Sequence, residues 1–260
     1  MKRIVLTSIV GLALAAFANS ALADNIAVTN FSFENPTVPF SSNPADQEPG
    51  YVSYSSIPGW TFGGVYDFSG LQLMSTQYSS AQPANSDRYQ DAVFNLSGGE
   101  TGTITYTTSG DSSGNGVSLG TIQSNTDYSL TVALGNRDGT GAYGDPGDVS
   151  LNIQAGTGTD TSTYTTVATM PVAPGEMPDG AFTDFTVTLY ASYILSHPSL
   201  LGENLGIQIT ATGVDSYTDQ NNFDNVQLTE TSVPEPRTWA LIGFGGLVFL
   251  AGLNRIKRRA

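Results

Sequence analysis

The run Asp184-Phe185-Thr186-Val187-Thr188-Leu189-Tyr190 alternates apolar and polar residues without a break, and it decides the fold class. With a side-chain period of two, Phe185, Val187 and Leu189 share one face of a strand while the threonines share the other. Gly206-Ile207-Gln208-Ile209-Thr210-Ala211-Thr212 repeats the pattern with Ile207, Ile209 and Ala211. Such strands are buried on one side and carry a Thr-rich outer face. Working outward, short runs of the same kind recur behind Gly, Asn, Asp and Pro punctuation, at Ile26–Phe33, Ala92–Leu96, Gly102–Thr107, Val117–Gln123, Tyr128–Leu134, Val149–Gln154, Tyr164–Thr169, Leu205–Thr210 and Phe223–Leu228. Together with Phe185–Tyr190 they predict one all-β sandwich over residues 24–232. Residues 156–169, with seven Thr in fourteen, read as a strand pair rather than a linker. The one helical piece, Tyr193–Leu201, is held to about a turn by Pro198.

Composition narrows the function. The 260 residues include no Cys, which excludes a disulfide framework and a Cys-ligated metal site. Of the nine Lys and Arg, seven (Lys2, Arg3, Arg237, Arg255, Lys257, Arg258 and Arg259) sit near the ends, leaving Arg88 and Arg137 between them. Residues 24–232 hold 22 acidic side chains, for a net charge of −20. Such a segment repels phosphate backbones, so no nucleic-acid partner is expected.

The ends read as addresses. Lys2 and Arg3, the apolar run that follows and Ala21-Leu22-Ala23 have the three regions of a secretory signal peptide, residues 1–23, with signal peptidase cutting before Asp24. At the other end, residues 238–253 are uncharged and would span about 24 Å as a helix, a marginal membrane anchor, followed by the basic tail 254–260. Val233-Pro234-Glu235-Pro236, that hydrophobic helix and the basic tail together resemble the PEP-CTERM sorting signal of Gram-negative bacteria, over residues 233–260. The resemblance implies an exosortase as partner, transient anchoring in the inner membrane, and a destination at the cell surface or in an exopolysaccharide matrix.

A second resemblance covers the exported region as landmarks. Asn30-Phe-Ser-Phe-Glu-Asn-Pro36, Ile57-Pro-Gly-Trp60, residues 197–209 and Asn221-Asn-Phe-Asp-Asn-Val-Gln-Leu-Thr229 look like the jelly rolls of galactose-binding-like domains, the fold of many carbohydrate-binding modules. It implies a jelly-roll-like β-sandwich whose first and last strands lie side by side, and a structural calcium held there by Glu34 and Asp224. From the residues alone, alternation through Phe223–Leu228 sets Asp224 on the apolar face of Val226 and Leu228, where a carboxylate needs a partner or a cation. The direction of Glu34 depends on a bend at Asn35-Pro36.

Catalytic chemistry finds little support in the pattern. His197 is the only His, too few for a zinc centre, and no G-x-S-x-G elbow precedes it for a triad. The acidic run between Arg137 and Asp148 lacks EF-hand spacing. Tyr51, Tyr54, Trp60 and Tyr66 cluster in a turn-rich stretch and form the candidate ligand patch, since amphipathic rings can lie under a sugar. These features lead to a non-enzymatic, matrix-associated protein that binds polysaccharide weakly. The alternatives are a purely structural surface protein and a secreted glycoside hydrolase working with an acidic pair.

Overall fold

In the computed structural model the described residues are 23–38, 51–73, 89–107, 118–136, 146–158, 161–214 and 219–233. Their strands are β1 (Ala23–Ile26), β2 (Tyr51–Ser53), β3 (Ser56–Ile57), β4 (Trp60–Val65), β5 (Phe68–Leu73), β6 (Gln90–Leu96) and β7 (Thr101–Tyr106). There follow β8 (Thr126–Asn136), β9 (Asp148–Gly156), β10 (Thr165–Val172), β11 (Ala181–Leu189), β12 (Asn204–Thr212) and β13 (Asp219–Ser232). A six-residue helix, α1 (Ala191–Ser196), and a 3-10 turn (Pro198–Leu200) occupy the stretch where Pro198 was expected to limit helix growth.

The strands make a jelly-roll-like β-sandwich. One sheet runs β11-β8-β13-β6-β5-β2 with β1 beside β13, and the other runs β10-β9-β12-β7-β4-β3. The two deciding runs lie in different sheets and alternate as read: Phe185, Val187 and Leu189 are buried on β11, and Ile207, Ile209 and Ala211 on β12. Their outward partners pair across strands, with Thr186 Oγ1 at 2.7 Å from Thr131 Oγ1 on β8, the kind of contact that supports a solvent face. Residues 25–230 form one compact unit, and residues 1–24 with 231–260 a second.

Between the sheets the core is aromatic. Trp60 sits 5.3 Å from Phe33 and 5.1 Å from Tyr106 by ring centroids, and Phe94 lies 5.8 Å from Phe62 and 6.0 Å from Phe223. Gly102 makes room for this packing, because a Cβ there would meet Phe94 Cδ1 at 2.7 Å.

Four segments differ from the sequence reading. Residues 156–169 hold one strand rather than a pair, since β9 ends at Gly156, a 3-10 turn covers Thr161–Thr163 and β10 begins at Thr165. The run Ile26–Phe33 leaves strand geometry after Ile26, because Asn30 and Phe33 take left-handed φ of 52° and 54° and turn the chain. Val117–Gln123 contributes a single bridge, Thr121 to Asn204, among its described residues. The stretch from Tyr51 to Tyr66, read as turn-rich, holds three strands, β2, β3 and β4; their alternation is interrupted by Gly59 (φ 89°) and Gly64 (φ 98°), which masks the period.

Candidate functional site

The seven-stranded sheet has two unlike faces. Leu71, Ala92, Phe94, Leu96 and Phe223 point into the sandwich. The pairs Gln72 with Asp91, Val93 with Asn222, and Asn95 with Gln220 therefore lie on the other face. An antiparallel sheet of this kind normally gives its second face to water. Here that face is covered: Gln72, Asp91, Val93 and Gln220 are fully buried, Asn222 is 1 % exposed and Asn95 8 %. Ala133 and Phe182, on β8 and β11 of the same sheet, form a separate buried apolar pair outside the main core.

The polar groups are ordered around Asp91. Gln220 Nε2 donates to Gln72 Oε1 at 3.2 Å, and Gln72 Nε2 donates to Asp91 Oδ2 at 3.1 Å. Asn222 Nδ2 donates to the same Oδ2 at 2.5 Å. A carboxylate oxygen only accepts, so it turns both amides nitrogen-first. Burial raises the Asp91 pKa from 3.8 to about 8; the bonds from Asn222 and Gln72 lower it in part, and the charge of Glu34 raises it further. At neutral pH the group is mainly the uncharged acid. Because Oδ2 is occupied by two donors, the proton belongs on Oδ1, which has no hydrogen bond to a described residue.

Glu34 and Asp224 lie on neighbouring segments, tied by Val226 N donating to Phe31 O at 2.8 Å. Glu34 Oε1 accepts the backbone amides of Tyr89 and Gln90 at 2.8 and 2.9 Å. Asp224 is buried, but not on the apolar face as read. Asn225 has φ 47°, a bulge that brings both Phe223 and Val226 to the core and leaves Asp224 on the side of Asn222 and Gln220. Among the described residues no group of three or more His, Asp or Glu is placed to hold a metal. The two carboxylates are hard oxygen donors, the chemistry calcium takes, and its remaining ligands would have to be carbonyls or water.

The aromatic patch is not a platform. Trp60 is fully buried, its Nε1 donating to Thr29 O at 3.0 Å, so the ring that was to meet a sugar is core. Tyr54 and Tyr66 are half-buried against that core, Tyr66 at 5.5 Å from Phe94. The Tyr51 side chain lies outside the described residues. His197 is exposed and stacked on Tyr193 at 4.0 Å, with Nδ1 near Ser196 Oγ and Tyr193 O. Of the sorting motif only Val233 is described; Pro234, Glu235, Pro236 and the segment 238–253 lie outside, as does most of the loop from Arg137.

The sequence reading missed Asp91, Gln72, Asn95, Gln220 and Asn222. Their signal was present as Gln90-Asp-Ala-Val-Phe-Asn-Leu96 and Asp219-Gln-Asn-Asn-Phe-Asp224, strands rich in amides and acids. In one dimension such a face is indistinguishable from a wet one.

This architecture is that of a cyclase-like β-sandwich. A Stig cyclase from Fischerella sp. TAU, in complex with (3Z)-3-(1-methyl-2-pyrrolidinylidene)-3H-indole, is 20% identical and superposes with a TM-score of 0.57 over 82% of this chain and 100% of that one. An apo cyclase from Fischerella sp. gives 0.58 at 20% identity over 82% and 98%, and a Fischerella sp. TAU cyclase with 4-(1H-indol-3-yl)butan-2-one gives 0.55 at 20% over 82% and 100%. No curated protein matches this chain significantly. The HpiC1-like family, described as HpiC1 cyclase, matches residues 24–229, and the chain belongs to that family.

Membership overturns the non-enzymatic matrix reading, its purely structural variant and the glycoside hydrolase alternative. The cell-surface or matrix destination, which the sorting-signal resemblance implied, is corrected by the same membership. No described helix is long and apolar enough to cross a membrane.

Proposed function

We propose that this chain is a cyclase that starts ring closure by proton transfer from Asp91 to an unsaturated, indole-bearing substrate held on the outer face of the seven-stranded sheet. The observation that carries this is the buried Asp91 carboxyl, with Oδ2 tied by Gln72 and Asn222 and Oδ1 without a hydrogen bond to a described residue. Family membership and the indole compounds bound by its Fischerella neighbours support it. The Oδ1 proton passes to a double bond, leaving a cation that an internal π-bond attacks to form the new carbon–carbon bond. Loss of a ring proton to Asp91 Oδ1 restores the acid, so the net change is an isomerisation. The test uses 4-(1H-indol-3-yl)butan-2-one in deuterated buffer. The wild type should accelerate deuterium uptake at the indole C2 position, where Oδ1 gives a deuteron to the ring double bond and takes the ring proton back, and Asp91→Asn should bind the compound while losing about 100-fold or more of that rate. Equal exchange by both proteins removes Asp91 from the chemistry.

Two further assignments belong to this proposal. Glu34 and Asp224 would hold a calcium ion, in keeping with their oxygen donors, and it would add stability rather than chemistry. The ends serve as signal-peptidase and PEP-CTERM exosortase substrates; the family match, which begins at residue 24 and stops at 229, supports boundaries near 23 and 233.

A further inference from the structure

The hydrogen bonds around Asp91 have a direction. Each primary amide brings two N–H donors and one oxygen with two lone pairs. In Gln220, Gln72 and Asn222 a nitrogen points along the chain toward Asp91. On this face the side-chain amide atoms with no hydrogen bond at all to a described residue are oxygens: Gln220 Oε1, Asn222 Oδ1 and, one pair along the same ladder, Asn95 Oδ1. All three residues are at least nine-tenths buried. Buried acceptors without donors cost free energy, so the arrangement persists only where something supplies hydrogens.

That something does not come from a described cationic side chain. The described residues include no Lys or Arg, and His197 sits exposed at the end of α1. The surrounding segment, at −20, adds a long-range potential that concentrates cations. On the same face, Val93 and the Ala133–Phe182 pair supply apolar surface. We infer that the amide oxygens of Asn95, Gln220 and Asn222 form an acceptor cradle that takes the positively charged, N–H-bearing part of an aromatic ligand and rejects anions. This rests on the outer face being the ligand site, and it names the charge and polarity that the site selects. In the proposed reaction the same oxygens face the cation formed after proton transfer, where the negative ends of fixed dipoles are worth most.

Two indoles separate the ideas. The pyrrolidinylidene-indole becomes, on protonation at its ring nitrogen, a delocalised cation with an N–H donor, whereas the indolyl-butanone stays neutral. Titration calorimetry at neutral pH should show the charged compound binding the wild type about tenfold more tightly or better, the range expected for hydrogen bonds to a charged partner. Asn95→Leu and Gln220→Met, with their folding followed by melting curves, should each remove most of that preference while leaving the ketone, which carries no positive charge, within roughly twofold. Equal affinity of the two compounds for the wild type, or a preference that survives in both variants, overturns the cradle and leaves the proton-donor reading standing. Failure of both compounds to bind overturns the ligand site, and the cradle with it.

Discussion

At Asp91 a single carboxyl couples chemistry to stability. Its folded pKa, about 8, lies above the ordinary 3.8 because burial penalises the charged form. The native state therefore holds a proton that the unfolded chain has released between those values. Stability from this group is fully present below about pH 4, is lost as pH rises toward 8, and then levels off. The melting temperature of the wild type should fall across that window, and Asp91→Asn, an uncharged mimic of the acid, should fall less. Turnover should decline as pH rises through about 8, because only the acid form donates. A flat rate between pH 6 and 10 would assign proton delivery elsewhere.

Trp60 teaches the opposite lesson at the same scale. Gly59 has φ 89°, and a Cβ there would lie 2.7 Å from Tyr106 Cε2; the chain turns at that point to drive the indole inward between Phe33 and Tyr106. Trp60→Ala should cost about 3–5 kcal/mol of unfolding free energy, read from denaturant titration.

Among the elements, the segment after β1 is clasped to β6 by one side chain. Gln90 Nε2 donates to Phe33 O and Pro36 O at 3.0 and 3.1 Å, while Gln90 Oε1 accepts from Val38 N at 2.5 Å. Gln90→Leu leaves those groups unmatched and should destabilise the domain by about 1–3 kcal/mol for each that stays dry. The neighbouring Glu34 and Asp224 give the calcium test. Melting in millimolar calcium should exceed melting in chelator by an amount set by RT ln(1 + [L]/Kd), about 2.7 kcal/mol at a hundredfold excess. Identical curves would remove the ion.

How much of this was legible follows from particular strands. The runs at 184–190 and 206–212 showed their period because each has one dry and one Thr-rich face. β4 and β5 hid theirs behind Gly63, Gly64 and Gly70. On β13, one residue in the wrong half of φ space, Asn225, inverted the face assigned to Asp224. The polar row on β6 and β13 was visible as letters, but its burial depends on what lies over it, which no local pattern encodes.

For the whole molecule, the end signals make a prediction independent of chemistry. Mass spectrometry of the mature protein should find Asp24 as its first residue and the chain ending near Val233–Arg237. A steady-state species retaining Trp239 through Ala260 would sink the processing assignment.

One topological fact sets how the chain can be made. β13, the last strand, lies in the interior of its sheet between β8 and β6. A ribosome-bound intermediate lacking residues 219–232 would thus carry two unsatisfied strand edges facing a gap. Every other strand can be complete while the sheet is still split, so the closing step joins the most distant parts of the sequence, which is slow for chains dominated by such contacts. While β13 is out of the sheet, β6 and β8 are templates for any stray strand.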